Sequence, residues 1–240
     1  MQTMAEGRTD FAPYFRSCQG HWGRDEALMN RACELRYQVY CLECGFLEPG
    51  DYAEQRESDE HDVNSSHFCA SNLRDEMVGY VRLVRADALQ TFPFQSHCTA
   101  LLDGAVLSPP TESAEISRLM VRQDYRRRVG DIVPGVNVES DVIRPAHDLR
   151  ANSPQILLSL YRQMYAYSLE NGIRYWYAAM ERSLARVLTR MNFSFRQIGP
   201  QTDYYGPVAP YMADLRELED RVGQSNPALL AWMHNIENND

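Results

Sequence analysis

Residues 114–121, AEISRLMV, read as a buried β-strand with two opposite charges set into it. A strand buried in a core tolerates a carboxylate or a guanidinium only where a partner or a function holds it. Glu115 and Arg118 are three residues apart, so a regular strand would point them to opposite faces. A fold that includes this strand must either house the two charges separately or break the alternation between them.

The segments around it supply the rest of a sheet. HFCASNL (67–73) and MVGYVRLV (77–84), separated by Arg74-Asp75-Glu76, read as an antiparallel hairpin. Val78, Tyr80, Arg82 and Val84 would share one face of its second strand, which places Arg82 in apolar company. Before the hairpin, Leu28, Ala32, Leu35, Val39, Leu42 and Phe46 recur at alternating spacings of four and three, the stripe of an amphipathic helix over 25–47. Arg36 and Tyr40 share a neighbouring face of that helix. EPGD (48–51) ends it, and an acidic loop, ESDEHD (57–62), follows. Residues 86–113 form a long excursion of the kind that covers a site, and 129–152 are irregular. A second helix begins at Ser153-Pro154, an N-cap followed by proline at N1, and stops at Asn171-Gly172. Strands at 174–180, 193–199 and 208–215, a helix at 182–191 and a small terminal helix from 225 to 236 complete the order. Interleaved helices and antiparallel strands on one sheet predict a single α/β (α+β) domain spanning residues 1–240, with its core at about 25–215 and a helical tail over 216–240.

Composition narrows the classes of function. With 240 residues, 44% of them hydrophobic, the chain can bury one sizeable core. No apolar run approaches the roughly 20 residues of a membrane span, and the N-terminus has no apolar leader. A soluble, cytoplasmic protein is expected. The net charge of −9 argues against nucleic-acid binding. Arg122, Arg126, Arg127 and Arg128 nevertheless gather positive charge within seven residues, either as a solvated turn or as a docking point for an anionic partner. The six cysteines are scattered, and CLEC (41–44) has no second C-x-x-C to complete a metal site, so reduced thiols and no metal are expected. The histidines form no Ser-His-Asp order and no HExxH, which turns the reading away from hydrolases and metalloproteases.

Several segments in one order resemble a known group. RYQVYCLECGFLEP, FPFQ, EISRLMVRQDYRRR, AMERSLARVLTRMNFSFRQIGP and DYYG are similar to the acyltransferases associated with PEP-CTERM/exosortase systems. Those are relatives of the N-acyl amino acid synthases and acyl-homoserine-lactone (autoinducer) synthases within the GNAT fold. The resemblance covers roughly residues 28–215. It implies a largely antiparallel sheet splayed at 114–121, no tightly bound cofactor, and an acyl carrier protein thioester as donor, with acyl-CoA as the other candidate. It also implies a small amine or amino-acid acceptor. RRVGDI (127–132) keeps Arg127 and Gly130 of the coenzyme A loop but has Ile132 where a small residue belongs. The arginine cluster then fits the acidic surface of a carrier protein. The absence of tryptophan between 24 and 175 favours amide formation without lactonisation.

Acyl transfer to an amine needs a proton acceptor and a stabilised oxyanion. Glu115 is the candidate base, direct or through water, because an apolar setting raises a carboxylate's pKa. Ser117 is a candidate hydrogen-bond donor beside it. The resemblance implies an oxyanion contact from a backbone N–H of the same strand, freed by a β-bulge between 115 and 118 that would turn Glu115 and Arg118 to one cleft. Arg82 and Arg118 need partners, and Asp59, Asp62 and Glu115 are available, either as a structural network or with one arginine left to bind the acceptor's carboxylate. Arg36 and Tyr40 either gate an acceptor pocket or decorate a helix. Tyr161, Met164, Tyr165, Trp176, Tyr177 and Met180 offer either an acyl slot between helix and sheet or ordinary core. Three alternatives accompany amide synthesis from a carrier-bound donor: an autoinducer synthase, an acyl-CoA-dependent N-acyltransferase, and a non-catalytic ligand-binding regulator.

Overall fold

In the computed structural model, which describes residues 10–125 and 153–235, one eight-stranded sheet carries the core. Its strands are β1 (Phe15–Gly20), β2 (Ser65–Asn72), β3 (Met77–Val84), β4 (Ser113–Val121), β5 (Tyr175–Glu181), β6 (Arg196–Gln197), β7 (Thr202–Asp203) and β8 (Pro207–Asp214). The spatial order is β1-β2-β3-β4-β5-β8-β6, with β7 also on β8. Every pairing is antiparallel except β4 with β5. This is the mixed, largely antiparallel sheet that the sequence predicts. The edge strand β1, too polar and irregular in pattern to be read from the sequence, is the addition.

Alternation along the strands sorts side chains onto two faces. One face packs against α2 (Ser153–Glu170), where Phe68, Val81, Leu83, Ile116, Leu160, Met164 and Trp176 belong to the largest apolar cluster. Gly79 is required there, because a Cβ would lie 2.6 Å from Cγ2 of Ile156. The other face packs against α1 (Glu26–Tyr37), where Met29, Leu35, Cys69, Tyr80 and Met120 cluster. Val78 does not share the face of Tyr80, as strict alternation predicts. The β2/β3 register shifts between Ala70 and Ser71, and Val78 joins the α2 side.

The first helix is shorter and less regular than its periodicity predicts. After Tyr37 the backbone widens into a π-helical segment, Gln38–Glu43, with the Cys44 N–H donating to the Val39 carbonyl. The wider turn changes the angular advance per residue. Leu42, expected on the buried stripe, is therefore 61% exposed, while Cys41 is buried. α2 follows its predicted bounds, and Gly172, at φ +66°, lets the Ile173 N–H close back on the Ser168 carbonyl.

Two C-terminal readings change. Of the strand expected at 193–199, only Arg196–Gln197 pairs with β8. Ile198 donates to the Pro210 carbonyl, but Pro210 has no N–H to return, and the Ile198 carbonyl instead accepts from Leu102. The tail holds two helices, α4 (Leu215–Ser225) and α5 (Pro227–His234), capped by the Asp214 and Asn226 side chains. Earlier in the chain, α3 (Arg182–Arg190) follows β5 directly. The irregular stretch expected at 129–152 lies outside the described residues. No helix among the described residues is long and apolar enough to cross a membrane.

Candidate active site

The parallel β4/β5 pairing covers only Ser113–Glu115 against Tyr175–Tyr177. Beyond Glu115 the two strands diverge, leaving the β5-facing edge of β4 without a strand partner among the described residues. The β3/β4 register then slips by one. Arg82 faces Ser117, but Tyr80 faces Met120, so an extra residue enters β4 after Ser117. The bulge sits at Arg118, which takes φ +56°. For a non-glycine residue this left-handed conformation costs on the order of 1 kcal/mol, and the contacts below hold it.

The bulge expected between 115 and 118 sits at the C-terminal end of that span, at Arg118. Its effect is the predicted one. Arg118 repeats the side of Ser117, and Glu115, Ser117 and Arg118 share the α1 face of the sheet.

On that face three arginines and three carboxylates close a ring. Arg36 donates to Glu57 at 2.5 Å and to Asp62 at 2.6 Å. Arg82 donates to Asp62 at 2.5 Å and to both oxygens of Asp59 at 2.6 and 2.7 Å. Arg118 donates to Asp59 at 3.0 Å and to Glu57 at 3.1 Å. Each acid bridges two bases and each base two acids, so the buried charges cancel. Burial opposes the charged forms of Asp59 and Asp62, yet the guanidiniums hold both carboxyls below their usual range, and Glu57 likewise. The ring ties α1, the acidic loop, β3 and β4 together.

This settles the placement of several expected residues. Arg36 is wholly buried, so the helix-surface reading fails; it is the deepest corner of the ring. Its Nη2 and the Nε of Arg82 are buried without a hydrogen-bond partner among the described residues. Tyr40 is turned by the π segment so that the Arg118 guanidinium lies over its ring, 5.1 Å from the centroid. Arg118 and Asp59 are the only ring members with partial exposure, 12% and 17%. Ser117 Oγ stands 3.5 Å from Arg82 Nη2.

Glu115 stands apart from the ring. It is 4% exposed, and Oε2 accepts the Phe94 N–H at 2.8 Å. Oε1 has no protein hydrogen-bond partner among the described residues. Burial raises its pKa to about 7, only partly opposed by the Phe94 bond and the charges of Arg82 and Arg118. The long excursion after β3 covers it, as expected: Phe92, Phe94 and Cys98 pack with Tyr177 over this face. The Ser108 N–H donates to the Tyr177 hydroxyl at 2.7 Å. His97, on the same excursion, stacks on Tyr204 at 3.8 Å and 11°. The Tyr204 phenol is pushed up to about 12, first by burial and then by the field of Glu115 among others.

Some functional neighbours had weak or no sequence signal. Glu57 opens the acidic loop but was indistinguishable there from solvated acids. His67 Nε2 is the donor to the Asp62 carbonyl at 2.9 Å, so Nδ1 accepts from Tyr80 Oη at 2.6 Å; burial keeps the imidazole neutral. The Phe94 N–H is a backbone group and carries no residue code at all. Conversely, the acyl slot expected between α2 and the sheet is filled. Tyr161 packs edge-on to Trp176 and Phe193, and Trp176 donates to Ser168. Tyr177 lies on the opposite face, with the excursion. Of the arginine cluster, Arg122 is already paired with Asp124 at 2.7 Å and stacked on Tyr125. Arg126, Arg127 and Arg128 lie outside the described residues.

Residues 35–132 match the family model described as an acetyltransferase (GNAT) domain. The fold is that of the GNAT acyltransferases. Solved structures of similar architecture include the AHL synthase LasI, at 14% identity and a TM-score of 0.58, covering 84% of this chain and 90% of that one. The CoA-dependent acyl-homoserine lactone synthase BjaI, with SAM and isopentyl-CoA, aligns at 17% identity and 0.57, covering 92% and 98%. FeeM, an N-acyl amino acid synthase from uncultured soil microbes, aligns at 15% and 0.53, covering 88% and 97%. No curated protein matches the chain by sequence. The match covers 98 of the 240 residues, and the solved structures share its fold.

Proposed function

We propose that this chain is an N-acyltransferase that moves a fatty acyl group from an acyl carrier protein thioester to the amine of an amino acid or related small acceptor. The product is an N-acyl amino acid. Glu115 carries the reading: a buried carboxylate at the strand divergence, with one oxygen held by Phe94 and the other unpartnered, and a pKa near neutrality. Such a group takes a proton from an ammonium, directly or through one water, as nitrogen attacks the thioester carbon. The unpaired edge of β4 beside it supplies N–H donors for the developing oxyanion. The thiolate leaves as the amide forms. Ser117 and Arg118 border the same face, and the arginine ring fixes the bulge that presents that edge. With all three arginines neutralised, the ring acts as scaffold, and Arg118, its partly exposed corner, is the one able to touch the acceptor.

FeeM's description as an N-acyl amino acid synthase supports the amide product. The order of motifs supports a place near the exosortase-associated acyltransferases. The test is mass spectrometry of lipid extracts from cells overproducing the protein. A new N-acyl amino acid, absent with Glu115→Gln, is expected; an acyl-homoserine lactone instead would replace this reading with the autoinducer one.

A further inference from the structure

Two of the six cysteines lie on strands, and the β1/β2 register sets them directly opposite each other: Cys18 faces Cys69. Residues opposed across an antiparallel pair point to the same side of the sheet. Here that is the α1 side, where Cys69 packs with Met29 and Tyr80. The electrostatic neighbours agree with this placement. The charges of Asp25 and Arg31, at the start of α1 and along it, act on the Cys18 thiol, and Cys18 and Cys33 act on Cys69. Directly opposed residues in such a pair have Cα atoms about 4.5 or 5.5 Å apart. Both separations fall within the roughly 4.4–6.8 Å that a disulfide spans, so a bond between the two sulfurs needs no change of strand pairing.

Access to the pair is asymmetric. Cys18 is exposed on the edge strand, whereas Cys69 is 1% exposed. A small oxidant from solution therefore meets Cys18 first, with Cys69 behind it as the resolving thiol. Burial pushes both thiols up, so thiolate is scarce at neutral pH and exchange quickens as pH rises. Neither sulfur takes part in the acyl transfer proposed above. The segment between them does: Arg36 and all three acids of the charge ring, Glu57, Asp59 and Asp62, lie between positions 18 and 69. Closing a loop of about 50 residues removes conformations from the unfolded chain, and with them part of the entropy that opposes bringing this segment onto the sheet.

We propose that Cys18 and Cys69 form a cross-strand disulfide under oxidising conditions, a covalent staple that fixes the ring-bearing segment to the sheet. The oxidant is a low-molecular-weight disulfide such as oxidised glutathione. The Cys18 thiolate attacks one of its sulfurs, releasing one glutathione thiolate and leaving a mixed disulfide. The Cys69 thiolate then attacks the Cys18 sulfur and expels the second glutathione. Each cysteine loses a proton, the protein gives up two electrons, and the small disulfide is reduced to two thiols.

The experiment incubates the folded protein with oxidised or reduced glutathione at pH 8.5. Free thiols are then alkylated in denaturant, and the digest is examined by mass spectrometry without reduction. Oxidation should leave four cysteines alkylated in place of six and yield a Cys18–Cys69 linked peptide. It should also raise the melting temperature by about 5–10 °C, and dithiothreitol should reverse all three changes. C18S, a substitution at an exposed position, should melt with the reduced wild type and show neither the linked peptide nor the rise. Six alkylated cysteines after oxidation, a glutathione adduct that persists on Cys18 of the wild type, or a bond from Cys69 to Cys33 overturns the assignment. A linked peptide with no rise in melting temperature, or a rise that survives in C18S, overturns the staple.

Discussion

The backbone N–H of Phe94 donates to Oε2 of Glu115 at 2.8 Å, joining the middle of a long excursion to a buried carboxylate on β4. The bond fixes one oxygen and leaves the other for chemistry. As the general base, Glu115 must be ionised, so activity should rise through pH 7 as the carboxyl loses its proton. Glu115→Gln should lower kcat by roughly 100-fold or more and flatten that limb of the pH–rate profile. A variant with an unchanged limb would remove Glu115 from the proton relay.

The same carboxyl should make stability depend on pH. Its folded pKa, about 7, lies above the ordinary 4.5 because burial disfavours the charged form. Below pH 4.5 it is protonated folded or unfolded, and its stabilising contribution is fully present. That contribution is lost as pH rises through 7, when the folded state must ionise a buried group. Glu115→Gln should therefore be more stable than wild type above pH 7, by up to about 3 kcal/mol, and close to it below pH 4.5. Urea titrations at pH 5 and pH 8.5 measure the difference.

The charge ring has the opposite sign. Glu57, Asp59 and Asp62 titrate below the ordinary range, so the stability they confer is present above the ordinary carboxylate pKa and is lost as pH falls through their depressed values. Opening the ring at Arg36 should be costly, because Glu57 and Asp62 would stay buried without their counter-charge. Arg36→Met should destabilise by about 3–5 kcal/mol. Adding Glu57→Gln to Arg36→Met should cost less than the two single changes summed, which a double-mutant cycle in urea can read.

His97 and Tyr204 clamp the excursion that carries Phe94. Tyr204→Phe keeps the stacked ring and should leave kcat within about threefold. Tyr204→Ala should loosen the cover and admit water to Glu115. The expected result is a fall in kcat of about tenfold together with a lower midpoint of the pH–rate limb, as solvation returns the carboxyl toward its ordinary value. A loss of kcat with an unmoved midpoint would show that the stack does not control the burial of Glu115.

Charged residues inside apolar strands carried most of what could be read in advance. Glu115, Arg82 and Arg118 stood out because strands do not bury charge without cause, and Asp59 and Asp62 because a nearby acidic run could supply counter-charge. Nothing marks Glu57, Tyr80 and His67 as site residues in the sequence, since an acid at a loop's start or an aromatic in a strand has ordinary explanations. Tyr161 and Trp176 suggested a slot as readily as a core, and only the packing of Phe193 against Tyr161 shows core.

By itself the sequence determined the elements and their periodicities: the apolar strands, the Ser153-Pro154 and Asn171-Gly172 boundaries of α2, and a strand carrying charges that had to be answered. These are local properties, set by side-chain pattern and backbone preference. Tertiary structure decided which acid meets which base, the one-residue slip that puts Arg118 beside Ser117, and the backbone amide that holds Glu115. Each depends on register between segments far apart in the chain, and no local pattern encodes the pairing of Glu57 with Arg118, 61 residues away.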